Sequence, residues 1–208
     1  ADRELINALF FDGVSTRDYA ARIRITQRAV IKRRDRILRD LKKYFERTLK
    51  RELQEIDLSE LITYLALDSG ITEGENQIQI LVVYDKNSVR LSNCVPSDLS
   101  TELNGVAFKS QFGEFSFAGV PCEEMVSREE LYLDLLNIVA DSADVRRLIL
   151  VSFNEEYGDK VMNRLKKIKN KKTIQFRMNE PEEMLEGHQW EMLAYPLMQA
   201  LGIRGEEL

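Results

Sequence analysis

Residues 13–45 have the sequence GVSTRDYAARIRITQRAVIKRRDRILRDLKKYF, and this stretch decides the fold of the first part of the chain. Ser15, followed three residues later by Asp18, is a capping-box-like start for a short helix over residues 16–23. After a tight turn, Thr26 is placed to cap a second helix, which is long and rich in cations. The stretch therefore predicts a short helix, a turn and a long helix.

The helical pattern extends to both sides of this stretch. An amphipathic helix is predicted over residues 2–11, ending at Asp12-Gly13. Neither Gly nor Pro occurs between Val14 and Ser69, so we expect the long helix to continue far into this range. Its apolar positions indicate a helix that packs along one seam: Val30, Leu38, Leu41, Phe45, Leu49, Leu53 and Ile56. We expect a homodimer, with either the seam from Leu38 to Ile56 or an edge of the sheet as its interface. A break near Arg47, with a separate helix after it, is the alternative.

Positive charge is concentrated in this part of an otherwise acidic chain. Between Arg22 and Lys43 there are ten Lys/Arg and two acids, although the whole chain has a net charge of −5. Residues 1–54 hold 15 Lys/Arg and 8 Asp/Glu, a net charge of +7, and residues 55–208 hold 15 and 27, a net charge of −12. A cationic helix within such a unit is the electrostatic pattern of a nucleic-acid-binding protein.

Several classes of protein are excluded by composition. Two isolated cysteines and one histidine cannot form a Cys/His zinc cluster or a disulfide framework, and they favour a reducing cytoplasm. No apolar run approaches the length that spans a bilayer, so we expect no membrane partner. We find no phosphate-binding glycine-rich loop, and the sequence gives no reason to expect a cofactor.

The remainder of the chain changes character and alternates between strands and helices. Strands are predicted over residues 77–84, 89–94, 106–109, 114–118, 148–152 and 172–177. Helices are predicted over residues 58–67, 127–140, 155–168 and 188–201. We therefore expect an α+β protein of two domains: a tri-helical domain over residues 1–54 whose long helix links it to an acidic α/β sandwich over residues 55–208, with a mixed sheet whose C-terminal strands are parallel.

Three segments of the tri-helical part resemble the C-terminal, DNA-binding helix-turn-helix of bacterial sigma factors. They are STRDYA (15–20), ITQRAV (25–30) and RILRDLKK (36–43), and the resemblance covers residues 2–47. It implies a DNA-binding function. The turn position that is usually Gly in that family is Arg24 here, which either adopts a left-handed backbone at a cost of about 1 kcal/mol or forms another turn.

A helix-turn-helix lays its last helix in the major groove of duplex DNA, and its first residues contact base edges. The predicted base-contacting residues are Gln27, Arg28 and Lys32, because Arg suits guanine and Gln suits adenine. The predicted phosphate-contacting residues are Arg17, Thr26, Arg33, Arg36 and Arg39. The sequence thus favours a sequence-specific transcription regulator with a non-catalytic α/β domain for association or ligand sensing.

Two other functions remain open. The strand–acid–helix order is similar to that of small nucleases of the PIN and NYN type. If this chain is such a nuclease, Asp85 with Glu155 and Glu156 would bind divalent metal. Acids at helix starts are expected for dipole reasons alone, so the sequence favours a protein that is not an enzyme. The cationic unit could instead be an adaptor that docks on RNA polymerase. Residues 102–108 and 113–115 also resemble an uncharacterised bacterial family, which implies no activity.

Overall fold

The computed structural model describes residues 2–10, 14–123, 125–152, 154–181 and 183–207, with the backbone alone for Phe10, Asn154 and Glu155. Its α-helices are α1 (Asp2–Phe10), α2 (Thr16–Arg22), α3 (Gln27–Leu49), α4 (Leu58–Asp68), α5 (Arg128–Asp141), α6 (Asn154–Leu165) and α7 (Ala194–Ala200). The predicted helix end at Asp12-Gly13 lies outside the described residues. Among the described helices, none has the length and apolar character that crossing a membrane requires.

The described strands belong to three sheets. They are β1 (Ile56–Asp57), β2 (Asn76–Asp85), β3 (Cys94–Val95), β4 (Ala107–Ser110), β5 (Gly113–Cys122), β6 (Arg147–Val151), β7 (Lys172–Arg177) and β8 (His188–Met192). The first sheet pairs β1 with β3, the second is mixed with the order β2-β5-β4, and the third is parallel with the order β6-β7-β8. The predicted α+β class, mixed sheet and parallel C-terminal strands are confirmed, but the strands lie in separate sheets.

Two compact units divide the chain. We call Ala1–Leu53 with Ser152–Met162 the helical unit, and Gln54–Val151 with Asn163–Leu208 the α/β unit. Residues 152–162 thus group with the first unit, whereas the predicted division assigns every residue after 54 to the second domain. The predicted domain boundary stays a prediction.

Helix α4 organises the core of the α/β unit because it packs on both larger sheets. Leu65 forms a buried cluster with Ile174 and Phe176 of β7. Ala66 belongs to a second buried cluster that contains Phe115 of β5. Burying a large apolar side chain contributes about 1.5–3 kcal/mol, so these contacts hold the parallel and the mixed sheet against one helix.

Helix α3 is long, but it ends close to Arg47, where a break was the alternative, and does not continue to Ile56. Helix α3 runs to Leu49, and Lys50 follows with a left-handed φ of 54°. The amides of Lys50 and Arg51 donate to carbonyls of the last turn, which is how a left-handed residue ends a helix. Leu53 and Ile56, two of the apolar positions predicted for this helix, therefore lie beyond α3.

The strand predicted over residues 89–94 is wrong. Only Cys94–Val95 pairs in a sheet, as β3. Asn93 has a φ of 59°, a left-handed conformation that interrupts an extended strand. Val89 and Leu91 nevertheless pack against a buried cluster of the α/β unit. The apolar side chains of this segment are therefore packed, but its backbone is not an extended strand.

The helix predicted over residues 188–201 is wrong in its first half. His188–Met192 form β8, which pairs parallel with β7, and α7 begins only at Ala194. Gln189 and Glu191 are exposed while the other three side chains of β8 are half-buried. This period of two is the pattern of a strand with one covered face. The segment is therefore a strand followed by a short helix.

Candidate nucleic-acid interface

Helices α1, α2 and α3 surround one small apolar core. Leu5 of α1 and Val30 of α3 are fully buried in it. The buried cluster consists of Leu5, Ala8, Leu9, Tyr19, Ala20 and Val30, with Val14 and Ile37 packed against it. This core determines which side of α3 faces the other two helices. The opposite side of α3 is the one that a partner can contact.

The turn between α2 and α3 has a defined geometry around Arg24. Arg24 has a left-handed φ of 57°, the conformation that Gly adopts with less strain. Its amide donates to the carbonyl of Ala21 over 3.3 Å, and the amide of Ile25 donates to the carbonyl of Ala20 over 3.0 Å. These two bonds are the Schellman arrangement that ends many helices. Of the two alternatives for Arg24, the structure has the left-handed backbone.

Both helices begin at the predicted caps. The hydroxyl of Ser15 accepts a hydrogen bond from the amide of Asp18 over 3.1 Å. The hydroxyl of Thr26 accepts one from the amide of Ala29 over 3.2 Å. Such caps satisfy amides that have no partner within the helix, and each contributes about 1 kcal/mol. The starts of α2 and α3 are therefore fixed by local side chains.

Gln27 joins the beginnings of α2 and α3. Its Nε2 donates a hydrogen bond to the hydroxyl of Thr16 over 3.0 Å. Gln27 is an exposed residue. A two-bond contact between Gln27 and adenine, however, would have to replace the bond to Thr16. In this conformation, Gln27 orients the two helices.

The other predicted base-contacting residues lie on the exposed side of α3. Arg28 and Lys32 are both exposed, as is Arg39 two turns further along. With 3.6 residues per turn, these three side chains lie within about 40° of one another around the helix and roughly opposite Val30. Arg17 is exposed on α2. Within the described residues, no ion pair engages any of these four cations.

Arg33 and Arg36 have a different environment, because both bind Asp2 at the start of α1. The Nε of Arg33 lies 2.7 Å from Asp2 Oδ1, and the Nη2 of Arg36 lies 3.1 Å from Asp2 Oδ2. The hydrogen bond from Arg33, supported by the positive charge of Arg36, holds the pKa of the Asp2 carboxyl below its usual value of 3.8. Arg33 and Arg36, both predicted to contact phosphate, are therefore already bound to a carboxylate.

The role of Asp2 was not predicted from the sequence. An acid in the first turn of a helix is expected from the helix dipole alone. The pairing with Arg33 and Arg36 spans more than thirty residues and depends on how α1 packs on α3. Nothing local in the sequence specifies that packing. The signal that could have suggested it is the scarcity of acids near the cationic stretch.

A second exposed surface of α3 is apolar. Leu38, Leu41 and Phe45 are 42%, 40% and 45% exposed. Their spacing of three and four residues places them along one side of the helix, as in the seam of a coiled coil. We call these three residues the apolar stripe. Its position on α3 is the one predicted for a dimer contact, and that contact stays a prediction.

The carboxylates of the nuclease interpretation have separate surroundings. Asp85, at the end of β2, lies 3.6 Å from the Nε of Arg128. It belongs to the α/β unit, whereas residues 155 and 156 belong to the helical unit. No group of three or more potential metal ligands occurs within the described part of the chain. The side chain of Glu155 lies outside the described residues.

A family model described as a family of unknown function (DUF6621) matches residues 30–208. The chain belongs to this family. Comparison with curated proteins and with solved structures found no match. The family match begins inside α3 and covers all of the α/β unit, but it does not include α1, α2 or the turn at Arg24. Its description states no activity.

Proposed function

We propose that the chain is a cytoplasmic, sequence-specific DNA-binding transcription regulator. In this proposal α1, α2 and α3 form a tri-helical, sigma-like helix-turn-helix domain. Helix α3 enters the major groove of duplex DNA and also links the DNA-binding domain to an α/β domain without catalytic function. The observation that carries the proposal is the exposed cationic side of α3, formed by Arg28, Lys32 and Arg39.

The geometry of the turn supports this proposal. A recognition helix must be held at a fixed angle to the helix before it, so that its first residues reach the bases. The left-handed Arg24, the cap at Thr26 and the bond between Gln27 and Thr16 together fix that angle. The amino-terminal end of α3, which carries Arg28, is exposed. A helix so oriented can present Arg28 to a base edge.

Each predicted residue then has a defined role. Arg28 donates two hydrogen bonds to guanine and Lys32 contacts a neighbouring base, while Gln27 exchanges its bond with Thr16 for an adenine. Phosphates are held by side chains that position the protein without specifying sequence: Arg17, Thr26, Arg33, Arg36 and Arg39. Arg33 and Arg36 do so by exchanging the carboxylate of Asp2 for a phosphate oxygen.

The proposal includes a homodimer. Proteins with this motif bind two half-sites about one helical turn apart, and the symmetry of the site matches that of the dimer. The apolar stripe on α3 supports such a contact, because three large apolar side chains with coiled-coil spacing are about half exposed. The cytoplasmic location is supported by the two free cysteines, Cys94 and Cys122.

A second candidate function is an adaptor that docks on RNA polymerase. The observation that favours it is that Ile23 and Ile25, on either side of Arg24, are 38% and 41% exposed. A surface of alternating apolar and cationic side chains suits an acidic protein as well as DNA. Crosslinking to RNA polymerase without affinity for DNA would select this function.

The proposal can be tested by selecting duplexes from a random pool and measuring their binding by fluorescence anisotropy. We expect enrichment of a common motif, and a loss of affinity on the order of 100-fold in the Arg28→Ala/Lys32→Ala double variant, because each base contact contributes roughly 1–3 kcal/mol. Lys167→Ala/Lys169→Ala is the matched control, since it removes two exposed cations from the α/β unit.

Two results would overturn the proposal. The first is the absence of any enriched motif together with no measurable binding of duplex DNA at low salt. The second is an equal loss of affinity in the two double variants, because net charge alone would then explain binding.

A further inference from the structure

The central strand of the parallel sheet has one polar face. Side chains alternate along β7, so Thr173, Gln175 and Arg177 lie on one face and Ile174 and Phe176 on the other. The apolar face packs on α4. On the polar face, Thr173 is 1% exposed and Gln175 is 4% exposed. A row of buried polar side chains in the middle of a sheet is unusual, because each member needs a hydrogen-bond partner.

Thr173 has such a partner within the sheet. Its hydroxyl forms a hydrogen bond with Nδ1 of His188, which is opposite Thr173 on β8. Burial lowers the pKa of His188, which favours the neutral ring. The first position of the polar row is therefore satisfied by a neighbouring strand.

Arg177, at the other end of the row, has no partner of this kind. Its Nε is buried and forms no hydrogen bond within the described residues. Its guanidinium also makes no ion pair in that part of the chain. A guanidinium keeps its charge at every pH that proteins experience, so it cannot avoid this penalty by losing a proton. A buried donor without a partner needs one, and a water molecule, an ion or the polar group of a ligand can supply it.

The position of Arg177 supports a ligand site. Arg177 is the last residue of β7, the middle strand of three parallel strands. Ligands of open parallel sheets bind at the carboxyl ends of the strands. At this edge, Val151 ends β6 and is 45% exposed, and Met178 directly after β7 is 50% exposed. The edge therefore combines one charged donor with accessible apolar surface.

We propose that Arg177 binds the oxyanion of a small organic ligand, a carboxylate or a phosphate, at the carboxyl edge of the β6-β7-β8 sheet. The Nε–H and the adjacent Nη–H of a guanidinium form a planar fork that matches two oxygens of such a group. The unpaired Nε is one prong of that fork. This site lies in the α/β unit and does not depend on DNA binding by the helical unit.

Trp190 provides a direct readout. It is the single tryptophan of the chain. On β8, Trp190 is paired with Gln175 of β7, and Met192, two residues further along β8, is paired with Arg177. Opposite residues of neighbouring strands point to the same face. A ligand held by Arg177 is therefore expected to alter the fluorescence of Trp190.

The test titrates inorganic phosphate, and separately malonate, into the full-length chain at constant ionic strength while Trp190 fluorescence and Tm are measured. We expect a saturable fluorescence change and a rise in Tm with at least one anion. Binding of phosphate alone would identify a phosphorylated ligand, and binding of malonate alone a carboxylic acid. Arg177→Met should abolish both responses, and Arg177→Lys should weaken them because it lacks the fork.

Arg146→Met is the matched control, since Arg146 is exposed and precedes the first residue of β6, at the opposite edge of the same sheet. It should leave both responses unchanged. Without anion, Arg177→Met should keep or raise Tm, because it removes an unsatisfied donor. The proposal is overturned if neither anion gives a saturable change, if both variants lose it equally, or if Arg177→Met lowers the anion-free Tm more than Arg146→Met does.

Discussion

The helical unit and strand β7 of the α/β unit place their polar side chains in opposite positions. In the helical unit, Arg28 and Lys32 are exposed and the apolar side chains of the core, such as Leu5 and Val30, are buried. In the α/β unit, β7 buries Thr173 and Gln175 and leaves Arg177 half-buried with an unpaired donor. Exposed charge attracts a polyanion over a distance and is weakened by salt. A buried donor needs one partner at hydrogen-bond distance, so it suits a small ligand.

Phe176→Ala gives the largest effect that we expect, and it tests the division of β7 into a structural and a binding face. Phe176 is fully buried, and its truncation should lower the free energy of unfolding by about 3–5 kcal/mol. Urea unfolding followed by Trp190 fluorescence measures this change. Met178→Ala, at a half-exposed neighbouring position, should change the free energy by less than about 1 kcal/mol. Equal losses in the two variants would contradict the division.

Arg28→Lys tests whether the exposed cations of the helical unit specify sequence or only supply charge. The substitution keeps the charge but loses the two-bond fork, so discrimination at one base pair should fall by about 1–3 kcal/mol. Arg39→Ala should instead weaken binding to all duplexes alike, with a salt slope smaller by about 1. Competition between selected and scrambled duplexes distinguishes the two outcomes. If both variants behave alike, Arg28 is not a base contact.

Arg24→Gly tests the strain in the turn of the helical unit. Gly adopts the left-handed backbone without strain but loses more entropy on folding, so we expect a net stabilisation of about 0.5–1 kcal/mol. Hydrogen exchange of the α2 and α3 amides measures it. Arg22→Gly is the control, because Arg22 ends α2 and Gly there should destabilise by about 1 kcal/mol. Destabilisation by Arg24→Gly would contradict the role of the left-handed turn.

Asp2→Asn tests the competition between Asp2 and phosphate for two arginines. Removing the carboxylate charge frees Arg33 and Arg36, so affinity for duplex DNA should rise several-fold at low salt. Asp40→Asn, an exposed acid on α3, is the control for the change in net charge. An equal rise in both variants would mean that Arg33 and Arg36 are not phosphate contacts.

The smallest effect that we expect is a pH dependence confined to the α/β unit. Burial lowers the pKa of His188 from its usual 6.5, so the unfolded chain binds a proton more readily than the folded one. The contribution of the neutral His188 to the free energy of unfolding is therefore fully present above pH 6.5 and is lost as the pH drops below it. Tm should decrease from pH 7 towards pH 5, and His188→Gln should reduce this decrease because His188 is the one histidine of the chain. An unchanged pH profile in His188→Gln would contradict the assignment.

The difference between the units also explains how far sequence analysis could reach. The caps at Ser15 and Thr26 and the strand β7 were predicted correctly, because caps depend on adjacent residues and β7 alternates polar and apolar side chains along a single strand. Strand β8 was predicted as a helix, since its period of two becomes apparent only when its pairing with β7 is known.

For the candidate sites, too, local features could be predicted from the sequence and tertiary contacts could not. The exposure of Arg28 and Lys32 follows from helical spacing and could be predicted. The contact of Asp2 with Arg33 depends on tertiary packing and could not be predicted from the sequence. The unpaired donor of Arg177 was also missed, because a single Arg at the end of a strand is usually solvated.

The measurement that tests the central claim most directly is the salt dependence of duplex-DNA binding by the intact chain. Four cations are proposed to contact phosphates (Arg17, Arg33, Arg36 and Arg39), so the logarithm of the association constant should fall against the logarithm of salt concentration with a slope of roughly −4. Measured between about 50 and 200 mM salt, that slope would support a DNA-binding helical unit. Undetectable binding at the lowest salt, or an affinity that does not change with salt, would contradict it.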